Sequence, residues 1–183
     1  MGIQQLKERL PDYAKDIKLN LSNIVLETEG MTEQQLWGAM LAAAIATKHP
    51  LVIEEVARDA EAHLSEQARQ AAKAAAAIMG MNNVYYRSLH QLANKEYSRM
   101  PAKLRMNVIG NPGVEKLDFE LWELTCSAVN GCAACLDSHE RVLTSKGIAR
   151  EIVLHALRIA AVMHAVAVVL TAEQALTVQT PIQ

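Results

Sequence analysis

Proline and glycine divide this chain into blocks in which apolar residues recur at helical spacing. Residues 3–9 form a predicted short helix that stops near Pro11. Residues 12–21 follow with Tyr13, Ile17 and Leu21 on one face, and 22–30 read as a connection. Thr32 opens the next helix as a cap with Gln35 as its capping-box partner, and Leu36, Met40, Ala43 and Ala44 keep the helical period. That helix ends or kinks at His49-Pro50, because proline disfavours helical geometry in the residue before it. Residues 51–63 make another helix, and one beginning at Ser65 runs through the alanine-rich stretch to Gly80 or beyond. Residues 94–113 carry Pro101, Gly110, Pro112, Gly113 and four basic side chains, and read as a solvated connector with a short helix. Asp118 is the predicted N-cap of a helix over 119–129, which Asn130-Gly131 breaks. A helix over 132–146 stops at Gly147, and the last long helix runs from 148 or 150 to about 176, with residues 177–183 fraying.

The make-up of the chain narrows its class. Aromatics are only 4% of the 183 residues while alanine is abundant, a mix that favours closely packed helices over sheets. Hydrophobic residues at 51% and charged residues at 21% exclude global disorder. Eighteen basic against twenty acidic residues give a net charge of −2, which removes any global electrostatic case for nucleic acid or an anionic membrane. The most apolar stretch, residues 152–170, contains His155, Arg158 and His164, so a membrane-spanning helix there would bury a charge. The two histidines read instead as hydrogen-bonded interior or interface side chains. The N-terminus lacks the apolar core of a signal peptide, and three cysteines do not make a disulfide framework. The expectation is a single all-α domain over 1–183, in the cytoplasm.

Leu36-Trp37 and Leu121-Trp122 each open an apolar helix, and each is followed by a polar amphipathic helix and then a long alanine- and valine-rich one. With these pairs aligned, Thr47 falls opposite Cys132 and Pro50 opposite Cys135. An internal duplication of about 31–93 and 116–176 follows as an expectation, with chemistry retained only in the second copy.

The chemistry concentrates in Asn130-Gly131-Cys132-Ala133-Ala134-Cys135-Leu136-Asp137-Ser138-His139-Glu140. Cysteines three apart at a helix start share one face and can close a small disulfide ring. A helix N-terminus stabilises a thiolate, which favours a low pKa at Cys132. His139 lies one turn after Cys135, where an imidazole can take a thiol proton, which favours Cys135 as the attacking group. Two small core cysteines and a zinc site are rival readings. Zinc needs four ligands, and no second CxxC or paired histidine follows. Covalent haem needs His directly after the second cysteine, where Leu136 stands. Cys126, inside an apolar helix, reads as inert core. Glu120 and Glu123 precede the motif, and either could orient His139; spacing does not choose between them. The Met81-Asn82-Asn83-Val84-Tyr85-Tyr86-Arg87 stretch reads as a helix end and packing corner.

With that motif in view, the sequence resembles the alkyl hydroperoxide reductase D (AhpD) family of the carboxymuconolactone decarboxylase-like helical superfamily. PDYAKDIKLNL, QLWG, AAAIMGMNNVYYR, LRMNVIGNPG and FELWELTCSAVNGC carry the likeness over nearly the full chain. The resemblance implies an all-α bundle, assembly as homotrimers or larger rings, and reduction of peroxides or of a partner peroxiredoxin (AhpC) through the cysteine pair. Electrons would come from dihydrolipoamide on a dehydrogenase-complex acyltransferase, with no bound cofactor or metal. It also implies Cys132 and Cys135 as the redox pair, His139 as relay histidine and Glu120 as relay glutamate. The better-known motif carries a histidine directly before the second cysteine; here Ala134 takes its place. A disulfide carrier with little peroxidase activity and a non-catalytic helical assembly module are the alternative functions.

Overall fold

The computed structural model describes residues 2–177, and the expected fraying of the tail lies, from residue 178 onward, outside the described residues. The described residues contain no strand, and the chain is all-α. Its α-helices are α1 (Gly2–Arg9), α2 (Lys15–Leu26), α3 (Glu33–Thr47), α4 (Pro50–Ala60), α5 (Glu66–Gln91), α6 (Asn107–Gly110), α7 (Lys116–Asn130), α8 (Ala133–Ser145) and α9 (Arg150–Thr177). Short 3₁₀ turns cover Asp12–Ala14 and Lys95–Arg99.

Helix α3 is the hub, packing on α4, α5, α7 and α9. Every residue from Gln35 to Ala44 is buried, so the helix is apolar all round rather than along one stripe. Its start is the expected capping box: Thr32 Oγ1 accepts from Gln35 N–H at 3.1 Å, and Gln35 Oε1 accepts from Thr32 N–H at 3.1 Å. At Gly38 the helix meets Trp122 of α7 so closely that a Cβ would lie 2.1 Å from the indole. The indole Nε1–H donates to Gln35 O at 3.2 Å, which satisfies its one polar atom inside the core. Helix α9 is long and apolar enough to cross a membrane by length and composition. Here it packs on α2, α3 and α7 and buries Ala156, Ile159, Met163 and Val166. His155 is buried and bonded to Ile24 O at 2.9 Å as expected, whereas His164 is exposed.

Three local expectations need correction. Residues 22–26 continue α2 rather than joining the connection, because Ile24 and Leu21 are both buried and Ser22 turns its hydroxyl back onto Lys18 O. Tyr13 does not share a helix face with Ile17 and Leu21; it lies in the 3₁₀ turn before α2, is 70% exposed and donates to Glu173 Oε1. Asp118 is not an N-cap, since α7 starts after Glu115. Its carboxylate instead accepts from Gln34 Nε2 at 2.7 Å and Gln35 Nε2 at 2.9 Å, tying the first turn of α7 to that of α3.

The close approach at Gly38 gives a stability test. Gly38→Ala is expected to cost about 3 kcal/mol by overpacking and to lower Tm by about 10 °C. Gly80→Ala, at a helical position where an added Cβ meets nothing within 4 Å, should raise stability by up to about 1 kcal/mol. Thermal and urea unfolding of both variants check the pair.

Candidate active site

The turn that delivers the cysteines is a Schellman motif. Gly131, at φ +68°, bonds through its N–H to Ala128 O, and Cys132 N–H reaches Ser127 O at 3.1 Å. Helix α5 fixes this turn from the side. Asn83 Nδ2 donates to Ser127 Oγ at 2.9 Å, Asn130 Nδ2 donates to Asn83 Oδ1 at 2.9 Å, and the Arg87 guanidinium donates to Asn130 O. Cys132 is then the N-cap of α8, with its sulfur accepting from Cys135 N–H at 3.4 Å. The two cysteines are joined as a disulfide with Cα atoms 5.3 Å apart, within the range such bridges need.

The two sulfurs are not equivalent. Cys132 is wholly buried, whereas Cys135 is 6% exposed and lines a cleft of about 340 Å³. Helix α8 also contributes Ala134, Ser138 and His139 to this cleft, and α7 contributes Glu120 and Glu123. Met79, Asn82 and Tyr86 of α5 form another wall, with Met106 and Ile109 closing it from the 94–113 segment. His139 Nδ1 lies 2.7 Å from Glu120 Oε1. That contact holds the ring by its Nδ1–H and leaves Nε2 as the basic nitrogen. Geometry thus selects Glu120 as the partner of His139, where spacing alone left two candidates.

Glu123 is one turn further along the same face and is fully buried. Neither of its oxygens has a hydrogen-bond partner. Burial, with the Glu120 charge adding to it, pushes its carboxyl up to about 8. Polar atoms of Glu120, Glu123 and His139 lie within 4.8 Å of one another, close enough for one water to pass a proton between them. The three side chains are placed to hand protons among themselves, and the same atoms could serve as ligands to a cation. Cys126 is in the core, as expected: its thiol donates to Ala42 O, and burial raises its pKa further from reactivity.

The structure brings Cys132, Cys135, His139 and Glu120 to one place. The 81–87 stretch is not a helix end but lies within the C-terminal half of α5, where Asn82 and Asn83 are buried. The only hint of this in the sequence was two adjacent amides in an otherwise helical run. The 94–113 segment is a connector, as expected, yet it also supplies Met106 and Ile109 to the cleft.

The carboxymuconolactone decarboxylase family pattern matches residues 95–177. Alkyl hydroperoxide reductase AhpD of Rhodospirillum centenum is 55% identical over 179 residues, covering 98% of this chain and 96% of that protein. The AhpD proteins of Streptomyces griseus (53%, 96% of this chain and 99% of that protein) and Maricaulis maris (54%, 94% and 99%) match in the same way. Identity above one half, sustained from end to end, shows that the chain belongs to the alkyl hydroperoxide reductase AhpD family.

Proposed function

We propose that this protein is an antioxidant dithiol oxidoreductase that reduces hydroperoxides, or an oxidised peroxiredoxin partner, through Cys132 and Cys135. The observation that carries the reading is the cleft in which Cys135, and not Cys132, lies beside the Glu120–His139 pair. In the reduced protein His139 takes the Cys135 proton, and Glu120 holds the imidazole in place. The Cys135 thiolate attacks the terminal oxygen of ROOH, the O–O bond breaks, and Cys135 becomes a sulfenic acid as ROH departs. Cys132 then attacks that sulfur, water leaves, and the observed disulfide results. Two electrons from an external dithiol, dihydrolipoamide on an acyltransferase, reset the pair. The names of the relatives support the peroxide chemistry. The lipoyl donor, the AhpC-type peroxiredoxin, a homotrimeric or larger assembly and a cytoplasmic site belong to the same proposal. Ala134 lines the cleft without adding a titratable group, so activation of Cys135 in this proposal rests on His139 and Glu120. A single duplicated domain is also proposed; helices of 15, 11 and 26 residues in α3–α5 and of 15, 13 and 28 in α7–α9 support it.

Titration of free thiols before and after one equivalent of an organic hydroperoxide tests the reading. The expected result is a fall from three thiols to one, with matching peroxide loss and recovery on adding dihydrolipoamide. Three thiols remaining with peroxide untouched would overturn the peroxidase and leave the disulfide-carrier and assembly readings. Cys135→Ser should abolish peroxide consumption. Its persistence in that variant would reverse the order of the two cysteines. His139→Gln should slow peroxide-driven disulfide formation by about 100-fold and Glu120→Gln by about 10-fold, as removal of a general base and of its positioning partner, measured by stopped-flow on the reduced proteins.

A further inference from the structure

The cleft holds two buried polar groups that the steps above do not use. Glu123 presents a carboxyl with neither oxygen partnered, and Asn82, 4% exposed, presents an unpartnered Oδ1. Both line the same cavity as Cys135. Burying such groups without partners costs about 1–3 kcal/mol each, so two of them at one cavity are placed to pair with whatever enters it, water or ligand. A neutral carboxyl offers one O–H donor, and Asn82 Oδ1 offers an acceptor. A hydroperoxide offers the complement: one O–H to donate and a proximal oxygen that needs a proton when the O–O bond breaks.

We propose that Glu123 is the general acid of the peroxide step, donating its proton to the departing oxygen while Asn82 Oδ1 accepts the hydrogen bond of the terminal O–H. The inference rests on the peroxidase reading. The step balances. Cys135 thiolate forms the S–O bond, the O–O bond breaks, and RO⁻ takes the Glu123 proton to leave as ROH. The proton that His139 took from Cys135 then passes to the Glu123 carboxylate across the cluster, within 4.8 Å, and restores the acid. The division of labour is between a partnered carboxylate, Glu120, and an unpartnered acid, Glu123.

The surroundings keep Glu123 protonated. The titratable groups facing it are Glu120 and Cys126 on α7, Cys135 and His139 on α8 and Tyr86 on α5. Titratable side chains of the other helices on α7 are engaged elsewhere: Glu33 of α3 with His63, and His155 and Arg158 of α9 with Ile24 O and Glu29. No lysine or arginine lines the cleft to hold a carboxylate there. The folded protein therefore keeps a proton that the unfolded chain gives up near the ordinary Glu value of 4.5. Stability falls as pH rises from that value to about 8, then levels off. Glu123→Gln should flatten this slope in urea unfolding series across the same window.

The kinetic test compares the reduced wild type with Glu123→Gln in three reactions: an alkyl hydroperoxide, an aromatic peracid and iodoacetamide. A peracid releases a carboxylate and iodoacetamide releases iodide, and neither leaving group needs a proton. The expected result is a loss of about 100-fold with the alkyl hydroperoxide, with the peracid and alkylation rates held within about twofold. The wild-type alkyl hydroperoxide rate should also fall as pH passes about 8, and the variant should lack that alkaline limb. Equal losses in all three reactions would make Glu123 a packing or thiol-tuning residue, and no loss in any would remove it from the reaction; either overturns the proposal. A wild type that alkylates at Cys135 but consumes neither peroxide nor peracid would overturn the peroxidase reading itself, and the inference with it.

Discussion

The site depends on how closely α7 lies against α3. Trp122 fills the space that a side chain at Gly38 would occupy, and its indole N–H closes on Gln35 O. That contact fixes both the separation and the rotation of α7. With Trp122 turned toward α3, helical geometry turns Glu120 and Glu123, three residues apart, to a different face. There α5 and α8 complete a cleft. Asp118 adds a second tie, gripping Gln34 and Gln35 at the start of α3. Gln35 serves three ends: it caps its own helix, holds Asp118, and offers its carbonyl to Trp122. The C-terminal end of α7 is held as firmly by the α5 amides, so the cysteine-bearing turn is fixed from two directions.

Two carboxyls one turn apart in one cleft repel each other when both ionise, and the structure places them in different environments. Glu120, partly open, lies 2.7 Å from His139 Nδ1. Neither oxygen of buried Glu123 has a protein partner, and burial and the Glu120 charge both work against its ionisation. One site thus holds a group suited to accept a proton and one suited to give it, with no lysine or arginine among the residues that line the cleft.

Much of this was legible in the sequence. Helical periodicity with Pro and Gly punctuation locates the long helices, because those signals are local. The Thr32 capping box, Ser65, His49-Pro50, Gly131 and Gly147 all act where the sequence places them. The failures share one cause, which is tertiary contact. Asp118 looks like a cap because capping residues also serve as long-range hydrogen-bond acceptors, and here α3 claims the carboxylate. Residues 22–26 stay helical because α9 covers Ile24, which outweighs the weak propensity of Ser22 and Asn23. Asn82 and Asn83 look like a helix end, yet Ser127 and Asn130 of α7 hold Asn83 within α5. The cysteine pair and His139 could be found by spacing alone. The choice of Glu120 over Glu123 required the fold, or the resemblance, because both lie on the same helical face.

The unequal placement of the two cysteines, with only Cys135 lining the cleft, also reconciles two arguments that pull apart at the level of sequence. A helix N-terminus favours thiolate at Cys132, while the one-turn spacing favours His139 acting on Cys135. In the proposed cycle these serve opposite half-reactions. During oxidation Cys135, lining the cleft beside the Glu120–His139 pair, is the sulfur that peroxide reaches. During reduction an incoming dithiol meets the same sulfur, because Cys132 is wholly buried. Attack on Cys135 expels Cys132 as thiolate, and a leaving thiol of low pKa leaves faster. The N–H groups at the start of α8, with Cys135 N–H already on the Cys132 sulfur, stabilise that charge as it forms. The helix N-terminus thus assists opening of the disulfide, and the imidazole assists its formation.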